Sequence, residues 1–142
     1  MALSANTSLP TRNRGGMTRH SFTVLSAATI YKHSMVVITA AGLAKVAANE
    51  TTTSFVGIAE EAPTGVGDGS VTVTVVNNLE VLLPLVTAIT VGDSIVDKIY
   101  AVDDQTGTTE NTLGPEIGIM SQFVAANSGW VLLRQAPTVV AS

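Results

Sequence analysis

Val71-Thr72-Val73-Thr74-Val75-Val76, followed by Asn77-Asn78 and then Leu79-Glu80-Val81-Leu82-Leu83, is the stretch that decides the fold class. The first run alternates valine with threonine, the period of two that turns one face of a strand to a core and the other away from it. Asparagine tolerates positive φ, so the Asn pair predicts a tight turn, and the whole stretch predicts a β-hairpin. The same grammar continues in both directions. Short apolar runs broken by Gly, Asn, Asp and Thr predict strands at 22–25, 28–32, 35–39, 54–59, 70–76, 79–83, 94–101, 116–123 and 129–134. Thr64-Gly65-Val66-Gly67-Asp68-Gly69 and Asp103-Asp104-Gln105-Thr106-Gly107 predict turns. The only passable helix, Ala40 to Ala48, is weakened by Gly42 and by the threonine run after it.

Composition agrees with an all-β class. Of 142 residues, 46% are hydrophobic and 13% charged, which excludes a disordered chain. A domain of this size buries about 70% of its unfolded surface, enough for one core without metal or disulfide. Valine, isoleucine and threonine dominate where a helical protein would show more Leu, Glu and Lys. With no cysteine, disulfides, thiolate zinc sites and cysteine nucleophiles are excluded together. No basic n-region leads into an apolar segment at the N-terminus, and no apolar run approaches the length of a membrane helix, so the chain reads as soluble and unsecreted.

Two segments resemble each other. Phe55-Val56-Gly57-Ile58-Ala59 and Glu116-Ile117-Gly118-Ile119-Met120 each set a glycine between apolar residues of a strand, a sign of close backbone approach or a bulge. Over five residues, chance explains the likeness equally well.

Charge is divided along the chain. Residues 1–32 carry Arg12, Arg14, Arg19 and Lys32 and no acid, whereas the remainder carries all 11 acids against Lys45, Lys98 and Arg134. A basic, turn-rich arm over 1–20 thus precedes an acidic body over 21–136 and a short tail over 137–142. Such a chain is suited to docking its arm while the body stays in solution. The acidic body opposes nucleic acid, and the arm's arginines fit an acidic protein surface as well as they fit phosphate.

The search for catalytic chemistry returns little. His20 and His33 lack metal-ligand spacing. Asp103-Asp104 lacks the ligand series of a calcium loop, and Glu60-Glu61 point to opposite faces of a strand. Gly92-Asp93-Ser94-Ile95 is similar to the nucleophile block of the GDSL hydrolases, but both histidines lie upstream of the serine where a base is needed downstream. The glycines of 64–69 lack the lysine and helix of a phosphate loop. Neither an enzyme, nor a cofactor, nor a metal is expected.

The order of motifs resembles one family. Met1-Ala2-Leu3-Ser4-Ala5-Asn6 with Leu9-Pro10, then Ala28-Thr29-Ile30-Tyr31-Lys32 with Met35-Val36-Val37, is similar to the start of the capsid cement, or head decoration, proteins of tailed phages. The likeness continues through Phe55-Val56-Gly57-Ile58-Ala59-Glu60-Glu61, Thr90-Val91-Gly92-Asp93, Ile99-Tyr100-Ala101-Val102-Asp103-Asp104, Gly118-Ile119-Met120 and Gly129-Trp130-Val131-Leu132-Leu133. Two features depart from it: Asn77-Asn78-Leu79 where a glycine-containing turn is usual, and Arg12-Asn13-Arg14-Gly15-Gly16 in the arm.

The resemblance implies a small β-barrel or sandwich-like body with an extended N-terminal arm. It implies a homotrimer, made in the host cytoplasm, that sits on the outer surface of the virion and bridges major capsid protein subunits without catalysis. On that basis Arg12, Arg14 and Arg19 are expected to anchor the arm on the shell, with Lys32 beside them and Phe22 and Tyr31 packing its base. Leu82, Leu83 and Leu85 are expected at a subunit interface, with packing in the chain's own core as the alternative. Two rivals remain from the residues alone. One is a ligand- or glycan-recognition module on a virion surface using the loops 64–69 and 103–114, which lack aromatic rings for sugar stacking. The other is a small trimeric β enzyme acting on nucleotides, for which no motif is found.

Overall fold

The computed structural model describes residues 10–12, 16–48, 50, 52–86, 98–110 and 114–134. These residues are all-β, with eleven strands and no helix. In chain order the strands are β1 (Thr11–Arg12), β2 (Thr18–Thr23), β3 (Met35–Ile38), β4 (Ala44–Val46), β5 (Ser54–Ala59), β6 (Thr72–Asn77), β7 (Glu80–Pro84), β8 (Lys98–Ala101), β9 (Gly107–Thr108), β10 (Glu116–Ala125) and β11 (Ser128–Leu133). They form two antiparallel sheets, β2-β6-β5-β3-β4 and β1-β7-β11-β10-β8-β9.

Setting β1 aside, the sheets repeat one plan. Strands β2 to β6 and strands β7 to β11 each lie in the order first, fifth, fourth, second, third. In each half the end of the first strand meets the third across a parallel bridge, Val24 with Ala44 and Leu85 with Gly107. The bonds at these bridges correspond: Leu25 N–H donates to Ala44 C=O at 2.8 Å, and Val86 N–H to Gly107 C=O at 2.9 Å. Each sheet thus curls until its first and third strands meet at one bridge, without closing into a barrel.

The two glycine-centred segments are the fourth strands of the two halves. Gly57 faces Val36 and Gly118 faces Ile99, and in both ladders the register slips beside the glycine, so that Phe55 faces Val37 and Glu116 faces Tyr100. On the other side, Ile58 faces Val76 and Ile119 faces Leu132. A Cβ on Gly57 would lie 2.3 Å from the Val76 carbonyl oxygen, and one on Gly118 2.1 Å from that of Leu132. The same close approach recurs at the same place, which is why both strands need glycine there.

Inside the first curl, Val24, Ile30, Val36, Ala44, Val56, Ala59, Val73 and Val75 form one buried cluster. Their counterparts Leu85, Ile99, Ile117, Met120 and Val131 fill the second. The outer faces differ. On the first half Met35, Val37, Phe55, Ile58 and Val76 are buried and join the second half's cluster. The corresponding Lys98 is exposed, and Tyr100, Glu116, Ile119 and Leu132 are half-buried. The second half therefore covers the outer face of the first, and among the described residues no equivalent element covers its own.

Several expectations need correction. The stretch 71–83 is not a hairpin: β6 is bonded to β2 and β5, and β7 to β1 and β11, in different sheets. Both edges of each strand are taken, so the Asn pair turns a corner between sheets. Asn78 adopts φ 59, and the buried Asn77 side chain donates to Val56 C=O at 3.2 Å while accepting from Asn78 N–H at 2.9 Å. Asn78→Ala is expected to cost about 1 kcal/mol in urea unfolding, and Asn78→Gly close to none, because only the former puts a Cβ-bearing residue without local bonding capacity at positive φ.

The segment 28–32 is not a strand but irregular chain between turns at 26–27 and 32–33, and its Ile30 plugs the first curl. In place of the weak helix at 40–48, Gly42 at φ 82 turns the chain into a β3–β4 hairpin, closed by Thr39 N–H bonding Leu43 C=O at 2.9 Å. Within the expected arm over 1–20, β1 and the start of β2 are strands of the two sheets. Strands β1, β4 and β9 were too short to carry a period. Met1 to Leu9, Asn13 to Gly15, Thr90 to Asp93, Ser94 to Asp97 and the tail 137–142 lie outside the described residues.

Candidate functional site at the arm edges of the sheets

The arm meets the body at two strand edges. At the first, β1 lies antiparallel along β7, with Thr11 opposite Val81 and Arg12 opposite Glu80, and Leu82 N–H donates to Pro10 C=O at 3.0 Å. Strand pairing of so few residues is weak by itself, so side chains must hold it. Arg12 does this. Its guanidinium lies 3.7 Å from the Trp130 ring centroid, its Nη2 stands 3.3 Å from Glu80 Oε1, and the same nitrogen donates to Gln122 Oε1 at 3.1 Å. Glu80 is only 6% exposed and also accepts a hydrogen bond from the Ser121 hydroxyl. A carboxylate so buried requires a counter-charge, and the arm supplies it.

At the second edge, β2 pairs with β6 through Thr18 opposite Asn77 to Thr23 opposite Thr72. Arg19 Nε donates to Glu60 Oε2 at 2.8 Å across a surface where both side chains remain well exposed. Lys32 stands 3.9 Å from Glu61, so the adjacent Glu60 and Glu61 serve separate cations.

Of the residues expected to meet a shell, Arg12 is therefore engaged within the chain, whereas Arg19 and Lys32 pair at the surface. Arg14 is outside the described residues. Phe22 is half-buried against the first cluster, and Tyr31 is half-buried with its carbonyl accepting from the Ser34 hydroxyl at 2.6 Å. Leu83 and Leu85 are buried in the chain's own core, which removes them from any subunit interface, while Leu82 stays half-buried opposite Trp130. Sequence reasoning did not single out Glu80, Ser121, Gln122 or Trp130 as a group. The one available signal was an acid set inside the apolar run Leu79-Glu80-Val81.

Compared with protein-family models, characterised proteins and solved structures, the chain matches none. The site is thus read from its own geometry. Among the described residues no three His, Cys, Asp or Glu side chains converge on a metal position.

His33 is the titrating group beside this region. It sits at φ 64 with its backbone N–H donating to Ala59 C=O at 2.9 Å. Burial first, and the neighbouring Lys32 second, hold its pKa below the ordinary 6.5, against an opposing pull from Glu61. Its neutral form is the one the fold favours. The associated stability is complete above pH 6.5 and drains as pH falls toward the lowered folded value. Between pH 7 and pH 5 the urea midpoint of the wild type is expected to fall further than that of His33→Asn, a residue that also tolerates positive φ.

Proposed function

We propose that this chain is a structural decoration protein that binds the outer surface of an assembled phage head as a homotrimer and bridges major capsid protein subunits, without catalysing a reaction. The observation that carries the reading is the arm, whose described residues are built into both sheets through β1 and β2. A basic segment held at fixed edges presents charge and backbone in a set geometry, which suits a clamp made of many weak contacts multiplied by avidity. The family-like motif order supports the same reading, because its described motifs form the turns and strands of the two curls.

Arg12 holds the arm to the body, and partner contact falls to the exposed β2 edge and the half-exposed outer face of the second sheet. The test is to mix the full chain with expanded shells that lack it and to pellet them. Saturation at a fixed ratio per shell supports the proposal, and protein left entirely in the supernatant overturns it. Sedimentation equilibrium checks the trimer against the 14.6 kDa chain.

A further inference from the structure

The repeated plan of the two halves differs at one edge among the described residues. In the second half, the edge of the first strand beyond its parallel bridge is covered by β1; in the first half, no strand among the described residues covers the same edge. Position by position, Arg19 corresponds to Glu80 and Ser21 to Leu82, because Arg19 faces Val76 as Glu80 faces Leu132, and Ser21 faces Thr74 as Leu82 faces Trp130. The backbone directions agree. Val24 N–H bonds Val71 C=O and Leu85 N–H bonds Asn127 C=O, so alternate residues turn toward the fifth strand in both halves. Leu82, which turns the other way, bonds the arm at Pro10. Its counterpart Ser21 turns the same way, as does Arg19, and neither has a backbone partner on that side among the described residues.

The charges at the two edges are reversed. Glu80 sits between the Ser121 hydroxyl and the incoming Arg12. Arg19 occupies the Glu80 position and Glu60 the Ser121 position; they form an ion pair, and no described residue stands at the place corresponding to Arg12. A second copy's arm would put Arg12 opposite Arg19, a like-charge pair that destabilises strand pairing. A carboxylate there would instead set Arg19 between two acids.

We infer that the open edge of β2 at Arg19 and Ser21 is a strand-acceptor site for an extended acidic segment of a partner protein, which adds as an antiparallel strand with a carboxylate opposite Arg19. On the decoration reading, on which the partner's identity rests, the segment belongs to the major capsid protein. Backbone pairing supplies affinity and Arg19 supplies selectivity, the division found in strand-addition recognition generally.

The test compares hydrogen exchange at Arg19 and Ser21 in the free and shell-bound protein, with shell affinity measured for wild type, Arg19→Glu and Ser21→Pro. Proline fits an edge whose N–H faces outward, and Arg19→Glu leaves the backbone edge intact should the proline variant fail to fold. Both amides are expected to slow on shells, and each variant to weaken binding by about tenfold or more. Wild-type pelleting with unchanged amides and unweakened variants overturns the strand-acceptor site and leaves decoration standing. If the wild type does not pellet, decoration fails, and a Thr-Val-Thr-Glu-Val-Thr peptide decides the edge alone. Protection of the two amides by that peptide, but not by its Glu-to-Lys analogue, upholds the site; protection by neither, or by both, rejects it.

Discussion

Alanine in place of Gly57 or Gly118 is expected to destabilise the protein by about 3 kcal/mol or more each, read as a drop in the urea midpoint with little change in slope. The new Cβ would stand 2.3 Å from Val76 O at Gly57 and 2.1 Å from Leu132 O at Gly118, and in both cases the obstacle is backbone of a bonded neighbour. A flexible side chain could swing away; a ladder carbonyl moves only by breaking pairing. Gly57 carries a second penalty, because its φ of 143 is disfavoured for any residue with a Cβ. Gly65→Ala separates the two causes. It sits at φ 89 with nothing within 4 Å of a new Cβ, so only conformational strain of about 1 kcal/mol applies. The expected order is Gly57 at least as costly as Gly118, and both far above Gly65. A Gly118→Ala cost no greater than that of Gly65→Ala would show that the repeated close approach is not a tight constraint. Because the first half's outer face lies within the second half's core, these variants should still unfold in one transition.

How much of this was legible in the sequence follows from which signals are local. The run 54–59 coincides with β5, because its burial pattern is written in its own residues. The end of a strand at an Asn pair was equally legible at 77–78. What lies beyond the Asn pair was not, since whether two strands pair or part depends on who occupies their other edges. For β6 and β7 those occupants are β2, β5, β1 and β11, all but β5 far along the chain. The glycine likeness between 55–59 and 116–120 was visible, yet its meaning was not. Around it the halves differ in residue type at matching places, Arg19 against Glu80 and Thr74 against Trp130, and only the shared register and bridges align them. The site followed the same rule. Arg12 stood out as a cation in an acid-free arm, but its partners lie across the whole length of the chain, as Gln122 does.

Arg12→Ala is the other change expected to have a large effect, about 2–3 kcal/mol, because it strands the buried Glu80 carboxylate without its counter-charge. The value lies below the about 3–5 kcal/mol of a fully buried pair, as the Arg12 side chain is 29% exposed. Glu80→Gln is expected to cost less, about 1 kcal/mol, since an amide keeps an acceptor for Ser121 without a buried charge. The double variant should cost clearly less than the two single costs together, which a double-mutant cycle reads directly. Arg12→Lys is expected to recover only part of the loss, because an ammonium lacks the planar face that lies over Trp130. On the proposed decoration role, shell binding would separate the two arginines. If Arg12 is a structural latch and Arg19 a partner contact, Arg12→Ala lowers stability while shell affinity, measured well below the melting range, stays near wild type; Arg19→Glu does the reverse. Should Arg12→Ala weaken shell binding as strongly as Arg19→Glu, with stability unmoved, the arm itself would be the docking element and the latch at Glu80 a secondary contact.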